Sequence, residues 1–380
     1  MSKPEEAVTP ENIPTVDEAL GALTDEEKEA VKRDREEMKE FISGLGAREI
    51  RSGDWFPKLV ANALGTYTRE VDWQYFQDKY KGVPADAIVD QRIKMASRFA
   101  ALEGGLTAGA YTGAVAATFG TAGLAAPVTL TAAATTIAVD LAFLTRLQLR
   151  LAHDIAVLYR VHLNPDDPED MWKLIRVAFS IKSGEVAAEG LLRAAPAVVR
   201  AVVKRYYSRG VITAARSLPV VGKFLLQRNV IKIGIPAVGV PLAIALNFYT
   251  TIIAGQHARS VFRNEARVIE IAQKMSRSSN NPQAMLWVTW LVILADGKRS
   301  DDEALLMRNL VTFAHDHHAI TDQGLADLID IEAQDVWNLL DAIDGDKTDL
   351  IDAADRAATI DGPANKRELA IIEEVRLRCV

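Results

Sequence analysis

Apolar and polar positions alternate at helical spacing along most of this chain, and two stretches depart from that pattern because they hold no charged residue. The first runs from Gly104 to Val139 and is built mainly from small residues. It carries a stripe of glycines at every fourth residue, Gly105, Gly109 and Gly113. On a helix such a stripe lets another backbone approach closely, as in helices that pack in or against lipid. Breaks at Gly120, Gly123 and Pro127 predict two helices that meet at a turn.

The second charge-free stretch runs from Ile233 to Gln256. It is long enough to cross a bilayer core of about 30 Å as a helix. However, Pro236, Pro241 and Asn247 interrupt it, which favours an inserted hairpin or a buried helix pair. The chain therefore predicts two apolar hairpins within otherwise amphipathic surroundings.

Amphipathic helices flank these stretches. Thr24 followed by Glu27 is the pattern of an N-terminal capping box, and the helix that it starts is so rich in charge that we expect it to be solvated or loosely docked and not part of the core. A later helix places Leu151 and Ile155 on an apolar face and Asp154 on a separate charged face. His153 next to Asp154 invites comparison with metal-dependent phosphohydrolases, but the charged face is the simpler interpretation.

The whole pattern predicts an all-α fold in a chain of 380 residues. We expect a helical domain with the two small-residue apolar hairpins, followed by a smaller helical domain. The expected boundaries are a disordered acidic tail and charged helix over 1–45, a membrane-associated helical domain over 46–275, and an acidic helical domain over 281–380.

Charge is distributed unevenly, because both ends of the chain are acidic and the middle is basic, for a net charge of -7. From Gly190 to Asn264 there is no Asp or Glu. The basic residues of this segment that we expect to contact lipid are Arg193, Arg200, Lys204, Arg205, Arg209, Arg216 and Lys223. They alternate with Val, Leu and Ala, which suits an anionic membrane surface and argues against nucleic acid as the partner.

The single cysteine, Cys379, excludes a disulfide within the chain, as is typical of a reducing cytoplasm. The first residues lack the basic and apolar regions of a secretion signal. We therefore expect a cytoplasmic protein that is peripheral on the inner face of the cell membrane.

Several segments resemble the EcsC family of bacterial proteins over roughly residues 50 to 270. They are Leu147-Gln-Leu-Arg-Leu-Ala-His-Asp-Ile-Ala-Val-Leu-Tyr159 before an Asn-Pro-Asp-Asp-Pro turn, Ile235-Pro-Ala-Val-Gly239, and Asn247-Phe-Tyr-Thr-Thr-Ile-Ile-Ala-Gly-Gln-His-Ala-Arg259. The resemblance implies a cytoplasmic, membrane-associated helical protein with no established chemistry. It supplies no catalytic residues.

The C-terminal hundred residues contain a short repeat, in which Ala295-Asp-Gly-Lys-Arg-Ser-Asp-Asp-Glu303 is echoed by Ile360-Asp-Gly-Pro-Ala-Asn-Lys-Arg-Glu368. Each copy predicts an apolar helix, an Asp-Gly break and a new helix. The pair resembles the TerB-like fold of tellurite-resistance and membrane-stress systems. On that resemblance, a divalent cation would be held by Asp296, Glu303, Asp361 and Glu368. Helix capping by the Asp residues and ion pairs of the Glu residues are the simpler interpretation.

Candidate catalytic residues are few. His315-Asp316-His317-His318 invites comparison with metal-dependent phosphohydrolases, but a solvated helix end explains it more simply. No nucleotide-binding loop, nucleophile elbow or Cys-x-x-Cys motif occurs. We expect no enzymatic activity and no cofactor other than the possible divalent cation.

These observations favour a non-enzymatic protein that binds lipid surfaces through its basic and small-residue helices, while the acidic module binds a membrane or stress-response protein or a divalent cation. The alternative is a soluble helical protein that encloses an apolar ligand such as an acyl chain. A metal-dependent hydrolase built on the His315 cluster is a third class.

Overall fold

The computed structural model describes residues 20–52, 54–120, 126–179, 239–295, 297, 300–319 and 332–379. These residues form helices joined by turns, with no strand among them, which confirms the all-α prediction. The chain divides into two compact units, Met1–Val261 and Phe262–Val380. The predicted tail and the basic segment, with Arg193, Arg200, Lys204, Arg205, Arg209, Arg216 and Lys223, lie outside the described residues.

The first unit begins with α1 (Asp25–Ser43), α2 (Ala47–Ser52), α3 (Trp55–Leu64), α4 (Tyr67–Glu70) and α5 (Trp73–Lys79). The expected capping box of α1 is confirmed, because the Glu27 amide donates to Thr24 Oγ1 at 3.2 Å and the Thr24 amide donates to Glu27 Oε2 at 2.9 Å. The expectation that α1 is solvated is wrong. Its apolar positions Val31, Met38 and Ile42 are buried, because α1 packs against two long helices later in the first unit.

Those two helices are α6 (Ala85–Gly120) and α7 (Ala126–Leu158), which pack along each other as an antiparallel pair. Two helices over the first charge-free stretch are thereby confirmed, with α6 ending at Gly120 and Pro127 in the first turn of α7. α8 (Pro168–Ala178) follows, capped by Asp167, which accepts a hydrogen bond from the Glu169 amide at 2.8 Å.

The charged face expected on α7 is wrong at its central position. Asp154 is fully buried, and His153 is 5% exposed. The reason is that α7 is covered from several sides, by α1, α3, α5, α6 and α8, so the positions opposite its apolar face also lie inside the unit. Polar side chains at these positions therefore need partners within the protein.

The long helix α9 (Gly239–Ser278) runs without a break through Pro241 and Asn247, so the interruption expected at these two residues is wrong; Pro241 is tolerated because it lies in the first turn. α9 belongs to the first unit up to Val261 and to the second unit beyond it. Its last third contributes Val268, Ala272 and Met275 to the core of the second unit. The units thus divide within a helix, whereas the sequence predicts a boundary between residues 275 and 281.

The second unit continues with α10 (Pro282–Leu294), α11 (Asp301–His318), α12 (Ala333–Ala342), α13 (Thr348–Ala358) and α14 (Lys366–Cys379). The most apolar of these, α10, packs against α11, α12, α13 and α14 and so lies at the centre of the unit. The Asp-Gly breaks expected from the repeat are confirmed, since α10 and α13 end before Gly297 and Gly362 and new helices begin after them.

Candidate functional site

The three long helices of the first unit bring the two charge-free stretches together. α9 runs antiparallel to α6: Ile244 lies against Gly105, Gly255 against Ile93, and the Arg259 guanidinium reaches Asp90 at 2.6 Å. Residues 239–246 of α9 therefore lie at the same end of the unit as the charge-free parts of α6 (104–120) and α7 (126–139), with Ile244 against Gly105 and Asn247 against Asp140. We call these three charge-free helix segments the charge-free end.

The glycine stripe is used unevenly at this end. A Cβ atom placed on Gly105 would lie 3.3 Å from Ile244 Cδ1, so α9 approaches α6 closely there. Gly109 and its neighbour Ala110 are exposed, and no described atom lies within 4 Å of a Cβ built on Gly109. Gly113 belongs to α6, but its surroundings lie outside the described side chains.

A pair of buried carboxyl groups lies where the charge-free end begins. Glu103 of α6 is fully buried, and Asp140 of α7 is 6% exposed. Glu103 Oε1 accepts hydrogen bonds from Arg35 Nε of α1 at 3.1 Å and from Thr107 Oγ1 at 2.9 Å. Asn247 Nδ2 of α9 donates to Asp140 Oδ1 at 3.1 Å. We call Glu103 and Asp140 the carboxyl pair.

The environment of the carboxyl pair favours a bound proton. Burial, and after it the negative charge of Asp140, raise the pKa of Glu103 to about 7. The Arg35 guanidinium and the Thr107 hydroxyl act in the opposite direction, because both stabilise the ionised carboxylate. The buried surroundings of Glu103 therefore favour its protonated form more than water does.

Sequence reasoning missed the carboxyl pair, although a signal was present. Glu103 and Asp140 are the charged residues that directly bracket the first charge-free stretch. In an antiparallel hairpin whose turn lies between residues 120 and 126, two positions equally far from the turn lie level with each other. Glu103 and Asp140 lie at similar distances from the turn and should therefore lie near each other, and the charge of Asp140 does raise the pKa of Glu103.

A second polar network lies deeper in the first unit, around Asp154 of α7. Tyr67 Oη donates to Asp154 Oδ1 at 2.7 Å, and Arg92 Nε of α6 donates to Oδ2 at 2.8 Å. The Arg150 guanidinium lies over the Tyr67 ring, 4.7 Å from its centre. Burial raises the pKa of Tyr67 and lowers that of His153, so it favours the neutral form of both groups. The network ties α4, α6 and α7 together and has the partners expected of a structural element.

In the second unit the repeat places Glu303 and Glu368 at equivalent helix starts. The Ser300 amide donates to Glu303 Oε2 at 2.6 Å, and the Asn365 amide donates to Glu368 Oε2 at 2.7 Å. Burial raises the pKa of Glu303, and the charges of Asp361 and Glu368 contribute in the same direction, so the structure brings these three acids near one another.

The fourth proposed ligand, Asp296, lies outside the described residues. Within the described part of the chain, no group of three or more His, Cys, Asp or Glu side chains is arranged to hold a metal ion. Glu303 and Glu368 complete caps at their own helix starts.

The histidine cluster lies at the end of α11. His315 is exposed and has Asp316 as its neighbour, with 3.4 Å between His315 Nδ1 and Asp316 Oδ1. His317 Nδ1 lies 3.1 Å from Ser276 Oγ, and His318 Nε2 lies 2.7 Å from the Ser276 carbonyl oxygen. Two of the three rings thus fasten the end of α11 to α9, and they do not converge on a shared metal position.

Among the described residues, no helix is long and apolar enough to cross a membrane. Comparisons with known proteins add no family: no family model, no curated protein and no solved structure matches this chain.

Proposed function

We propose that this chain is a non-enzymatic, peripherally membrane-associated helical protein that contacts anionic lipid through the charge-free end and the basic segment 190–232. One observation carries the proposal: α9 brings the second charge-free stretch to the same end of the unit as the first, although the two are far apart in sequence. An end built from three uncharged helix segments suits a lipid surface better than water.

The helices of the charge-free end are long enough to reach through one leaflet of a bilayer. At about 1.5 Å per residue, residues 104–120 of α6 extend about 25 Å, and residues 126–139 of α7 extend about 21 Å. One leaflet of hydrocarbon is about 15 Å thick. Tyr249 of α9, which is 40% exposed near the level of the carboxyl pair, is the residue type that favours the lipid–water boundary.

The basic segment supplies the second attraction in this proposal. It precedes α9 directly in sequence, so its side chains can reach headgroups while the charge-free end enters the leaflet. The resemblance to the EcsC family agrees with this arrangement, and the single cysteine agrees with the cytoplasmic face. For the acidic second unit we propose a membrane or stress-response protein as the partner, with no nucleic acid.

Vesicle flotation tests the proposal. We expect the protein to float with vesicles of phosphatidylcholine and phosphatidylglycerol. Ala110→Glu places a charge on an exposed position of the charge-free end, and should weaken partition about tenfold, which corresponds to about 1.4 kcal/mol. Ala370→Glu is the matched control, because Ala370 is an exposed helical alanine of the second unit. It should leave binding unchanged.

Reversal of Arg200, Lys204 and Arg205 to Glu should release the protein from anionic vesicles and separates the electrostatic contribution from the apolar one. The proposal would be contradicted if the Ala110→Glu variant and the triple variant both bound vesicles as strongly as the wild type. If the wild type binds no vesicles at all, native mass spectrometry for a copurified acyl chain tests the enclosed-ligand alternative.

A further inference from the structure

One side of α9 exposes large apolar side chains beyond the charge-free end. Tyr249 is 40% exposed, and Ile253, one turn later, is 61% exposed. We call these two residues the α9 strip. Leu242 and Leu246 precede them at spacings of four and three residues, which keep to the same side of a helix, and Ser260 follows on that side. The pattern is therefore apolar from the charge-free end as far as Ile253 and polar beyond it.

The α9 strip lies on the side of α9 that is remote from α7. Asn247 of α9 faces α7, because its side-chain amide donates to Asp140. At 3.6 residues per turn, Tyr249 lies about 160° and Ile253 about 120° around the helix from Asn247. Because α9 also packs along α6, the α9 strip lies on the outer side of the pair that α6 and α9 form.

Two basic residues of α6 lie on the same outer side. Glu103 of α6 faces α1 and α7, through its hydrogen bond from Arg35 and the neighbouring charge of Asp140. Lys94 lies about 180° and Arg98 about 140° around α6 from Glu103. Both therefore lie on the side of α6 that is remote from α7, next to α9. We call the α9 strip together with Lys94 and Arg98 the α6–α9 surface.

The α6–α9 surface carries positive charge that the described residues do not neutralise. Lys94 is exposed and Arg98 is half-buried, and neither forms an ion pair within the described part of the chain. The acids one and two turns before Lys94, Asp90 and Asp86, pair with Arg259 instead. An exposed apolar strip beside unpaired basic side chains complements a bilayer with anionic headgroups.

We propose that the first unit lies with its α6–α9 surface against an anionic bilayer. The α9 strip then contacts the upper acyl chains, while Lys94 and Arg98 reach headgroup phosphates. This inference rests on the proposed function and deepens it, because it states which side of the unit faces the lipid. Entry of the charge-free end along the helix axes alone would leave Ile253 about 9 Å further out than Asn247, so the unit must tilt towards α9.

Quenching by spin-labelled lipid tests this orientation. A nitrobenzoxadiazole fluorophore is attached at Ile253→Cys, Ala110→Cys or Lys39→Cys, each in a Cys379→Ala background. Vesicles of phosphatidylcholine and phosphatidylglycerol carry a doxyl group on the acyl chain. We expect strong quenching of the Ile253 and Ala110 labels and none of the Lys39 label.

The Lys39 label is a control at the same level on the opposite side of the unit. Lys39 is exposed on α1, two residues after Glu37, which pairs with Arg146 of α7. Arg146 and Ile253 are each six residues further from the charge-free end than the hydrogen bond that joins α7 to α9. The two labels therefore differ in the side of the unit that they report.

The outcomes separate the orientation from the proposed function. Quenching of the Ala110 label without the Ile253 label would overturn the orientation and leave the proposed function standing. Quenching of the Lys39 label as strong as that of the Ile253 label would also overturn the orientation. If the protein binds no vesicles, or if none of the labels is quenched, the orientation and the proposed function both fail.

A matched pair of double substitutions tests the basic residues. Lys94→Gln with Arg98→Gln should weaken binding to the anionic vesicles on the order of tenfold, because two headgroup contacts are lost. Lys32→Gln with Lys39→Gln removes the same charge from exposed positions of α1 and should change binding less than about twofold. An equal loss of binding in the two double variants would show that only net charge matters and would contradict the assigned surface.

Discussion

Asp154 is the centre of the buried hydrogen-bond network in the middle of the first unit. Its carboxylate is fully buried and accepts hydrogen bonds from Tyr67 and Arg92, and the Arg92 side chain is itself 15% exposed. Such a pair gives modest net stability when complete, but it leaves an uncompensated buried charge when one partner is removed. The contribution of Asp154 is thus best measured by a change that keeps its shape.

Asp154→Asn should lower the free energy of unfolding of the first unit by about 3 kcal/mol, because Arg92 would remain buried without its counter-charge. Hydrogen exchange of the α7 amides reports the stability of this unit separately from the second. Asp90→Asn provides the control, since Asp90 pairs with Arg259 with its own side chain 44% exposed. Its loss should cost less than about 1 kcal/mol. Equal effects of the two substitutions would show that burial does not determine the contribution of Asp154.

The residues of the carboxyl pair show how far sequence alone reaches. Glu103 and Asp140 can be matched because the hairpin that joins them is local, and its glycines and Pro127 locate the turn. Arg35 cannot be assigned to Glu103 in this way. Its partner is 68 residues away, and the register between α1 and α6 is set by how the apolar stripe of α1 packs, which no local spacing specifies.

At the scale of helices, small residues decide where α6 and α9 meet. Gly255 of α9 is the tightest of the described glycine contacts with a neighbouring helix, because a Cβ on it would lie 2.8 Å from Ile93 Cγ1. Ile is branched at Cβ and has little rotamer freedom on a helix, so Ile93 cannot easily yield. The glycine stripe of α6 can be recognised from its regular spacing in the sequence. The close packing of Gly255 cannot, because it depends on Ile93 in the neighbouring helix.

Gly255→Ala should therefore destabilise the first unit by about 1–3 kcal/mol through overpacking. Ile93→Ala should cost less in the Gly255→Ala background than in the wild type, since it removes the atoms that clash. Ile93→Val keeps Cγ1 and Cγ2 and should show little coupling. Thermal unfolding of the four combinations gives the coupling energy. Purely additive effects of Gly255→Ala and Ile93→Ala would contradict the close approach.

The repeat in the second unit shows what helix-level patterns predict well and what they leave out. Both breaks and both new helices were predicted, because Asp-Gly after an apolar run is a strong local signal for a helix end. The copies differ in backbone, since Gly297 has a φ of 74° and Gly362 is not among the residues with positive φ. The acids at these helix starts can cap their helices or bind a cation. The difference depends on how the two copies of the repeat are placed relative to each other, which residue spacing does not specify.

At the scale of the whole molecule, the two units differ in how their charged residues are distributed. The first gathers uncharged helix segments at one end and buries a carboxyl pair where that end begins. The second is acidic and packs its helices around the apolar α10. The all-α class followed from the helical periodicity, but the meeting of two distant charge-free stretches required the antiparallel packing of α9 on α6.

The central claim, that the charge-free end enters lipid, is tested most directly by the depth of a label at its exposed edge. Nitroxide labels are placed at Ala110→Cys and, as a reference, at Ala370→Cys, in a Cys379→Ala background. Anionic vesicles are then added, and collisions with oxygen and with a water-soluble nickel chelate are measured. We expect the Ala110 label to gain oxygen collisions and lose nickel collisions, while the Ala370 label does not change. Full access of nickel to the Ala110 label on vesicle-bound protein would contradict the account.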